Sequence, residues 1–259
     1  MESRRFLQEA KENGYSFNTG NYFGKGFELF KSNPGELIGF TLLYFLISII
    51  LSFIPAIGGV LNMIITPALS VGFMVFCREI DLDRNTDFAR FFDGFKKLLP
   101  LLGTYLIQLA IYLVIASPLL LIIDRDLLMD FNGQDPEAIK EIWNEISQVG
   151  FVWLIILIIY MYVAVSLRWA MALAYFYDFS PLEALKESFL IVNKNWFAHL
   201  IFMILGILVI FLGVIGLLIG ILITYPVFMA ADYACFADIT GLNKQDDQIP
   251  EKENNLFLD

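Results

Sequence analysis

Four long apolar blocks, Leu37–Val60, Leu98–Ile123, Phe151–Met171 and Phe197–Val227, constrain this chain more than any other feature of its sequence. A run of about 18 or more apolar residues can cross a hydrocarbon core of roughly 30 Å. The blocks lift the hydrophobic fraction to 58% and hold charge at 17%, against about 45–50% and about 25% for a soluble domain. The chain therefore reads as an all-α polytopic transmembrane helical bundle of about six spans. It forms a single integral membrane domain over residues 1–242, with a polar, acidic tail over 243–259 that is expected to be disordered.

Spans are expected near 35–54, 57–77, 98–123, 151–174, 197–216 and 218–237. Pro55-Ala56-Ile57-Gly58-Gly59 joins the first pair in a tight hairpin, and the last pair turns within Gly213–Gly220. An unbroken helix from Phe197 to Asp238 would be about 63 Å long, so a break there is required. The first 22 residues lack an apolar signal core, so the first span is expected to serve as its own uncleaved signal.

Lys and Arg set the orientation. Arg4, Arg5, Lys11, Lys25 and Lys31 precede the first span, and Arg78, Arg84, Arg90, Lys96 and Lys97 lie between the second and third. Between the third and fourth, only Arg125 and Lys140 stand against seven acids, from Asp124 to Glu145. Both termini are thus expected in the cytoplasm, with one acidic loop outside. In that loop Asp135 and Pro136 would start a surface helix with Ile139, Ile142, Trp143 and Ile146 on one face.

Each pair of spans follows an amphipathic stretch, expected to rest as an elbow in the membrane interface. The first carries Phe23, Phe27 and Phe30. In the second, Phe88, Phe91, Phe92, Phe95 and Leu99 fall on one α-helical face. In the third, Ser180-Pro181-Leu182-Glu183 reads as a capping box, and Leu182, Leu185, Phe189, Val192 and Trp196 line one side. Phe88, Phe92, Phe95, Trp169, Phe189 and Trp196 are the expected interfacial residues. Phe27, Phe30 and Asn33 match Phe189, Val192 and Asn195 at a constant offset, which makes the first and third hairpin units a pseudo-repeat. Two readings stay open: a pseudo-symmetric transporter with a site between repeats, or duplication of a stable hairpin without a pathway.

The net charge of −10 gives no support to nucleic-acid binding. One histidine, His199, and two cysteines, Cys77 and Cys235, exclude multi-histidine metal centres and cysteine-rich clusters supplied by this chain. No cofactor and no disulfide are expected. Charges within spans are costly, which singles out Arg168 and Asp232. Either they pair inside the bundle, or Arg168 snorkels to lipid phosphates while Trp169 marks the interface. Asn62, Gln108 and Tyr160 are expected to hydrogen-bond between helices, and His199 to lie at the interface.

Leu167-Arg168-Trp169-Ala170-Met171-Ala172-Leu173, then Ser180-Pro181-Leu182-Glu183-Ala184-Leu185-Lys186-Glu187-Ser188-Phe189, then Asn195-Trp196, resembles the signature of YciC-like six-span bacterial inner-membrane proteins. These are related to the membrane domain attached to some glycerophosphodiester phosphodiesterases. The resemblance implies an integral inner-membrane protein without an established activity and supplies no catalytic residues. The expectation is a non-enzymatic module with membrane lipids, and possible partner membrane proteins, as its ligands; the alternative is a small transporter or permease.

Overall fold

The computed structural model describes residues 3–55, 57–84, 86–122, 136–137, 139–140, 150–215 and 220–245. Most of the acidic loop, including the expected cap Asp135, and residues 246–259 lie outside them. The described residues are helical and form no strand. The order is α1 (Ser3–Asn13), α2 (Thr19–Ser32), α3 (Pro34–Ser52), α4 (Ile57–Asp81), a 3₁₀ segment (Phe88–Lys97), α5 (Leu98–Ile122), α6 (Gly150–Ser166), α7 (Ala170–Phe176), α8 (Pro181–Val192), α9 (Trp196–Ile215) and α10 (Ile221–Thr240). Short 3₁₀ turns follow at Asn193–Asn195 and Asn243–Gln245.

Six helical stretches are long and apolar enough to cross a membrane: Pro34–Ser52, Ile57–Asp81, Phe88–Pro118, Gly150–Phe176, Pro181–Ile215 and Ile221–Thr240. They match the six expected spans. The most apolar windows of α4 and α10 are 56% and 50% buried, against 17–22% for the other four, so these two helices form the centre. Along α9 the exposed residues Phe197, Ile201, Ile204, Leu208, Phe211 and Ile215 recur every three or four positions. An apolar face of that size is unfavourable in water and suits hydrocarbon.

Small residues set the closest approaches, as they do where lipid offers no hydrophobic drive between helices. Ala230, Ala231, Ala234 and Ala237 of α10 are buried, and α2 lies across them. A Cβ on Gly26 would sit 2.5 Å from the Ala231 backbone nitrogen. The buried face of α2 is accordingly Tyr22, Gly26, Leu29 and Phe30, while Phe27 points outward. α8 packs instead against α5 and α7. It buries Ala184, Leu185, Ser188, Ile191 and Val192 and leaves Leu182 and Phe189 exposed. The one-sided apolar stripe read for this elbow is thus split between the protein and the outer surface. Its capping box forms as expected, with the Glu183 carboxylate accepting from the Ser180 N–H at 3.1 Å.

The second elbow is a 3₁₀-helix rather than an α-helix. With three residues per turn, Phe88, Phe91, Gly94 and Lys97 share one edge, and Phe91 and Gly94 on it are buried. Phe91 stacks between Phe40 and Phe76, each at 4.0 Å between ring centroids. Phe92 and Phe95 fall off that edge and stay 38% and 37% exposed. Gly72 and Gly94 permit this contact: a Cβ would lie 1.7 Å from the Phe91 carbonyl oxygen and 1.9 Å from that of Ala68, respectively.

Candidate functional site

The fourth span is not one helix. α6 ends at Ser166 and α7 begins at Ala170, and Arg168 and Trp169 lie in the break. Backbone groups freed at membrane depth must find partners within the protein. Ser188 of α8 supplies them: its Oγ accepts from the Trp169 N–H at 3.2 Å and donates to the Ser166 carbonyl at 2.9 Å. Asn193 adds a bond to Ser166 Oγ at 3.0 Å and accepts from the Tyr162 hydroxyl at 2.7 Å. Trp196 Nε1 donates to the Tyr162 carbonyl at 3.2 Å. The break allows the two neighbours Arg168 and Trp169 both to face inward.

Arg168 meets Asp232 of α10 through Nη2 and Oδ1, and donates from Nη1 to His199 Nδ1 at 3.0 Å. Trp169 Nε1 gives Asp232 Oδ1 a second donor at 3.3 Å. The Arg168 side chain is 5% exposed and that of Asp232 19%. The guanidinium also lies over the rings of Phe202 and Trp169, at 5.0 and 5.2 Å, a favourable cation–π setting. On the other side of the imidazole, Tyr15 Oη is 2.7 Å from His199 Nε2 and donates to the Ile191 carbonyl at 3.0 Å. Burial raises the Tyr15 pKa above the usual phenol range, so the phenol stays protonated. The tautomer follows by assignment of protons: Nε2–H donates to Tyr15, and bare Nδ1 accepts from Arg168. The chain of donors runs in both directions from the guanidinium without two N–H groups opposing.

These positions decide one open alternative and correct two expectations. Arg168 does not snorkel, because Asp232 offsets the cost of burying it. Trp169 is fully buried, not interfacial; its indole N–H has a carboxylate partner, which removes the reason for a wet edge. His199 is likewise fully buried, with the Trp169 ring 4.7 Å away.

Asn62 and Gln108, expected to bond between helices, find partners within their own helices. Thr66 Oγ1 donates to Asn62 Oδ1 at 3.3 Å, and Gln108 Nε2 to Tyr112 Oη at 2.7 Å, each four residues apart, the spacing that makes neighbours on one helix face. Tyr160 packs its ring 5.0 Å from Tyr112. Neither Asn62 nor Gln108 joins the Arg168–Asp232 group.

A second cluster, which the sequence did not mark, sits at the bundle end that carries α1, α2 and residues 243–245. Asp81, the last residue of α4, accepts from Lys25 at 2.8 Å, Tyr233 at 3.0 Å and Asn243 at 2.5 Å. Asn243 is thus tied to the bundle at the start of the stretch read as a tail. The bond to Asp81 raises the Lys25 pKa. Asp238 accepts from Tyr22 at 2.8 Å; burial and this carboxylate raise the Tyr22 pKa. Asp81 and Asp238 read as ordinary charged ends of spans, and Tyr15 lay in a polar stretch without a periodic signal. Cys77 and Cys235 are buried free thiols.

No protein-family model matches the chain, and no solved structure does. Over 201 residues the chain is 27% identical to a protein of Burkholderia thailandensis named "Probable inner membrane protein", covering 68% of this chain and 71% of that one. That similarity and the six membrane-competent helices agree on an integral membrane protein.

Proposed function

We propose that this chain is a non-catalytic module of the inner membrane, with both termini in the cytoplasm, that binds lipids at the leaflet beside α1 and α2. The supporting observation is the pairing of its intramembrane charges. Arg168 and Asp232 bond to each other, and His199, Trp169 and Tyr15 surround them. A gate or substrate site would have to part this pair, and leaving one buried charge alone costs about 3–5 kcal/mol. The elbows support the same reading: Phe92, Phe95, Phe189 and Leu182 stay exposed beside Lys96, Lys186 and Lys194, the composition of an interfacial surface. The likeness to YciC-like proteins belongs to this reading, since its motif residues Arg168, Trp169 and Ser188 build the helix break.

The test is thermal unfolding of the purified full chain in detergent, with and without added bacterial inner-membrane lipid. A rise in midpoint with lipid concentration, the signature of a ligand that binds the native state, is expected. An unchanged or lowered midpoint would overturn the reading.

A further inference from the structure

A cavity of about 470 Å³ opens between α2, the last turn of α4 and the last turns of α10, within the roughly 300–1,000 Å³ of small-molecule sites. Asn18, Asn21, Lys25, Asp81, Asp238 and Lys244 are among its lining residues. We propose that this cavity binds a zwitterion of the phosphoethanolamine type, its primary ammonium on Asp238 and its phosphate on Lys244 and Lys25.

The charges decide the class. Asp81 already takes three donors: one oxygen holds Lys25 and the other holds Tyr233 and Asn243. That bond fixes the Lys25 ammonium while its side chain remains 44% exposed, with two further N–H donors available. Asp238 gives Oδ2 to Tyr22, and among the described residues its Oδ1 has no hydrogen-bond partner. Lys244 rests over the Phe6 ring at 5.3 Å. The cavity therefore presents one further cation, Lys244, and one open carboxylate, Asp238, beside a Lys25–Asp81 pair that is neutral as a whole yet keeps Lys25 N–H donors for a ligand. A purely anionic headgroup would face Asp238 without compensation. A quaternary ammonium has no N–H for the carboxylate to accept, whereas a primary ammonium has three. The amides of Asn18 and Asn21 supply further polar wall.

The cavity lies where α4 and α10 end, at the level of the proposed leaflet, so the same headgroup could arrive on a lipid or as a soluble ester. The lipid source rests on the lipid-binding reading above; the headgroup chemistry does not. The experiment uses the full chain in detergent and lipids of identical short acyl chains: phosphatidylethanolamine, phosphatidylcholine and phosphatidylglycerol, with O-phosphoethanolamine as the soluble arm. Phosphatidylethanolamine is expected to bind about tenfold tighter than the other two, the size of one charge-assisted hydrogen bond. D238N, which keeps an acceptor for Tyr22, is expected to abolish that preference with an unchanged unfolding midpoint. K244Q is expected to weaken all three lipids. Competition by O-phosphoethanolamine supports a headgroup site that takes the soluble form; its failure alongside the lipid preference supports a lipid site. Equal binding of the three lipids without O-phosphoethanolamine binding, or a folded D238N that keeps the preference, overturns the proposal. Lipids that stabilise the bundle without headgroup preference leave the general reading standing and this one fallen; O-phosphoethanolamine binding with no lipid stabilisation does the reverse.

Discussion

Tyr15 and His199, 184 positions apart in sequence, meet at 2.7 Å and close one end of a buried polar chain. The phenol is the only group that α1 and its following loop contribute to that chain among the described residues, so its removal tests the closure alone. Y15F is expected to destabilise the protein by about 1–3 kcal/mol, the cost of orphaning a buried donor. Limited proteolysis should then cut within residues 3–18 faster than in the parent chain. Unchanged protection would mean that Lys11, paired with Glu187 at 2.7 Å, holds the segment unaided.

Arg168 and Asp232 are expected to be strongly non-additive. R168M or D232L alone leaves one buried charge and should cost about 3–5 kcal/mol. The double variant removes both charges and should recover most of that loss. Unfolding curves of the four proteins in one detergent give the coupling directly, and additive losses would contradict the pairing.

G72A and G94A are each expected to cost about 3 kcal/mol or more, because the added methyl would strike a backbone carbonyl that cannot move without the helix behind it. G39A is the contrasting case. Its nearest neighbour would be Phe88 Cε2 at 3.7 Å, ordinary contact, and Ala within a helix gains about 0.5–1 kcal/mol over Gly. Thermal midpoints should separate the first two from the third.

Lys25 gives a pH dependence whose sign follows from its raised pKa. The ammonium bonded to Asp81 keeps its proton above the ordinary value of 10.5. The stability this contributes is fully present below that value and is lost as the pH climbs from it through the higher folded pKa. At 44% exposure of the side chain, the contribution is about 0–1 kcal/mol. Comparing K25M with the parent between pH 8 and pH 11.5 (a range of roughly that width resolves a single group) should show the difference shrinking toward the alkaline end.

Membrane crossing was legible because length and apolarity are local properties: the span limits at Pro34, Ile57, Leu98, Gly150, Trp196 and Ile221 fall within a few residues of those read from hydropathy. The capping box at Ser180 was legible for the same reason. The 3₁₀ segment was not, since Phe88, Phe91, Phe92 and Phe95 fit an α-helical face equally well. The choice was made by Gly72 and Gly94 on facing elements. The break at Leu167–Trp169 contains neither Gly nor Pro; its cause is Ser188, about twenty residues on, whose hydroxyl replaces the lost backbone partners. Arg168 and Asp232 were visible as costly residues, yet their pairing depends on how α6 and α10 are placed. His199 and Trp169 were misplaced because a flanking position in sequence says nothing of what covers it: Tyr15 and Phe17 pack on His199, and His199 and Phe236 on Trp169.

Cys77 and Cys235 are expected to stay unlabelled by a membrane-impermeant maleimide, since both thiols are buried. They therefore provide a silent background for N132C, in the loop expected outside. Labelling of that variant on intact cells supports cytoplasmic termini; labelling only after lysis reverses the topology.

The position of α1 imposes an order on biogenesis. The partners of α1 and of the loop after it, Glu187, Ile191 and His199, and the Gly241 that lies beneath Phe6, are all translated after the first four spans. The segment around α1 is made before its partners and is thus among the last to dock, and a nascent chain released early would carry it loose.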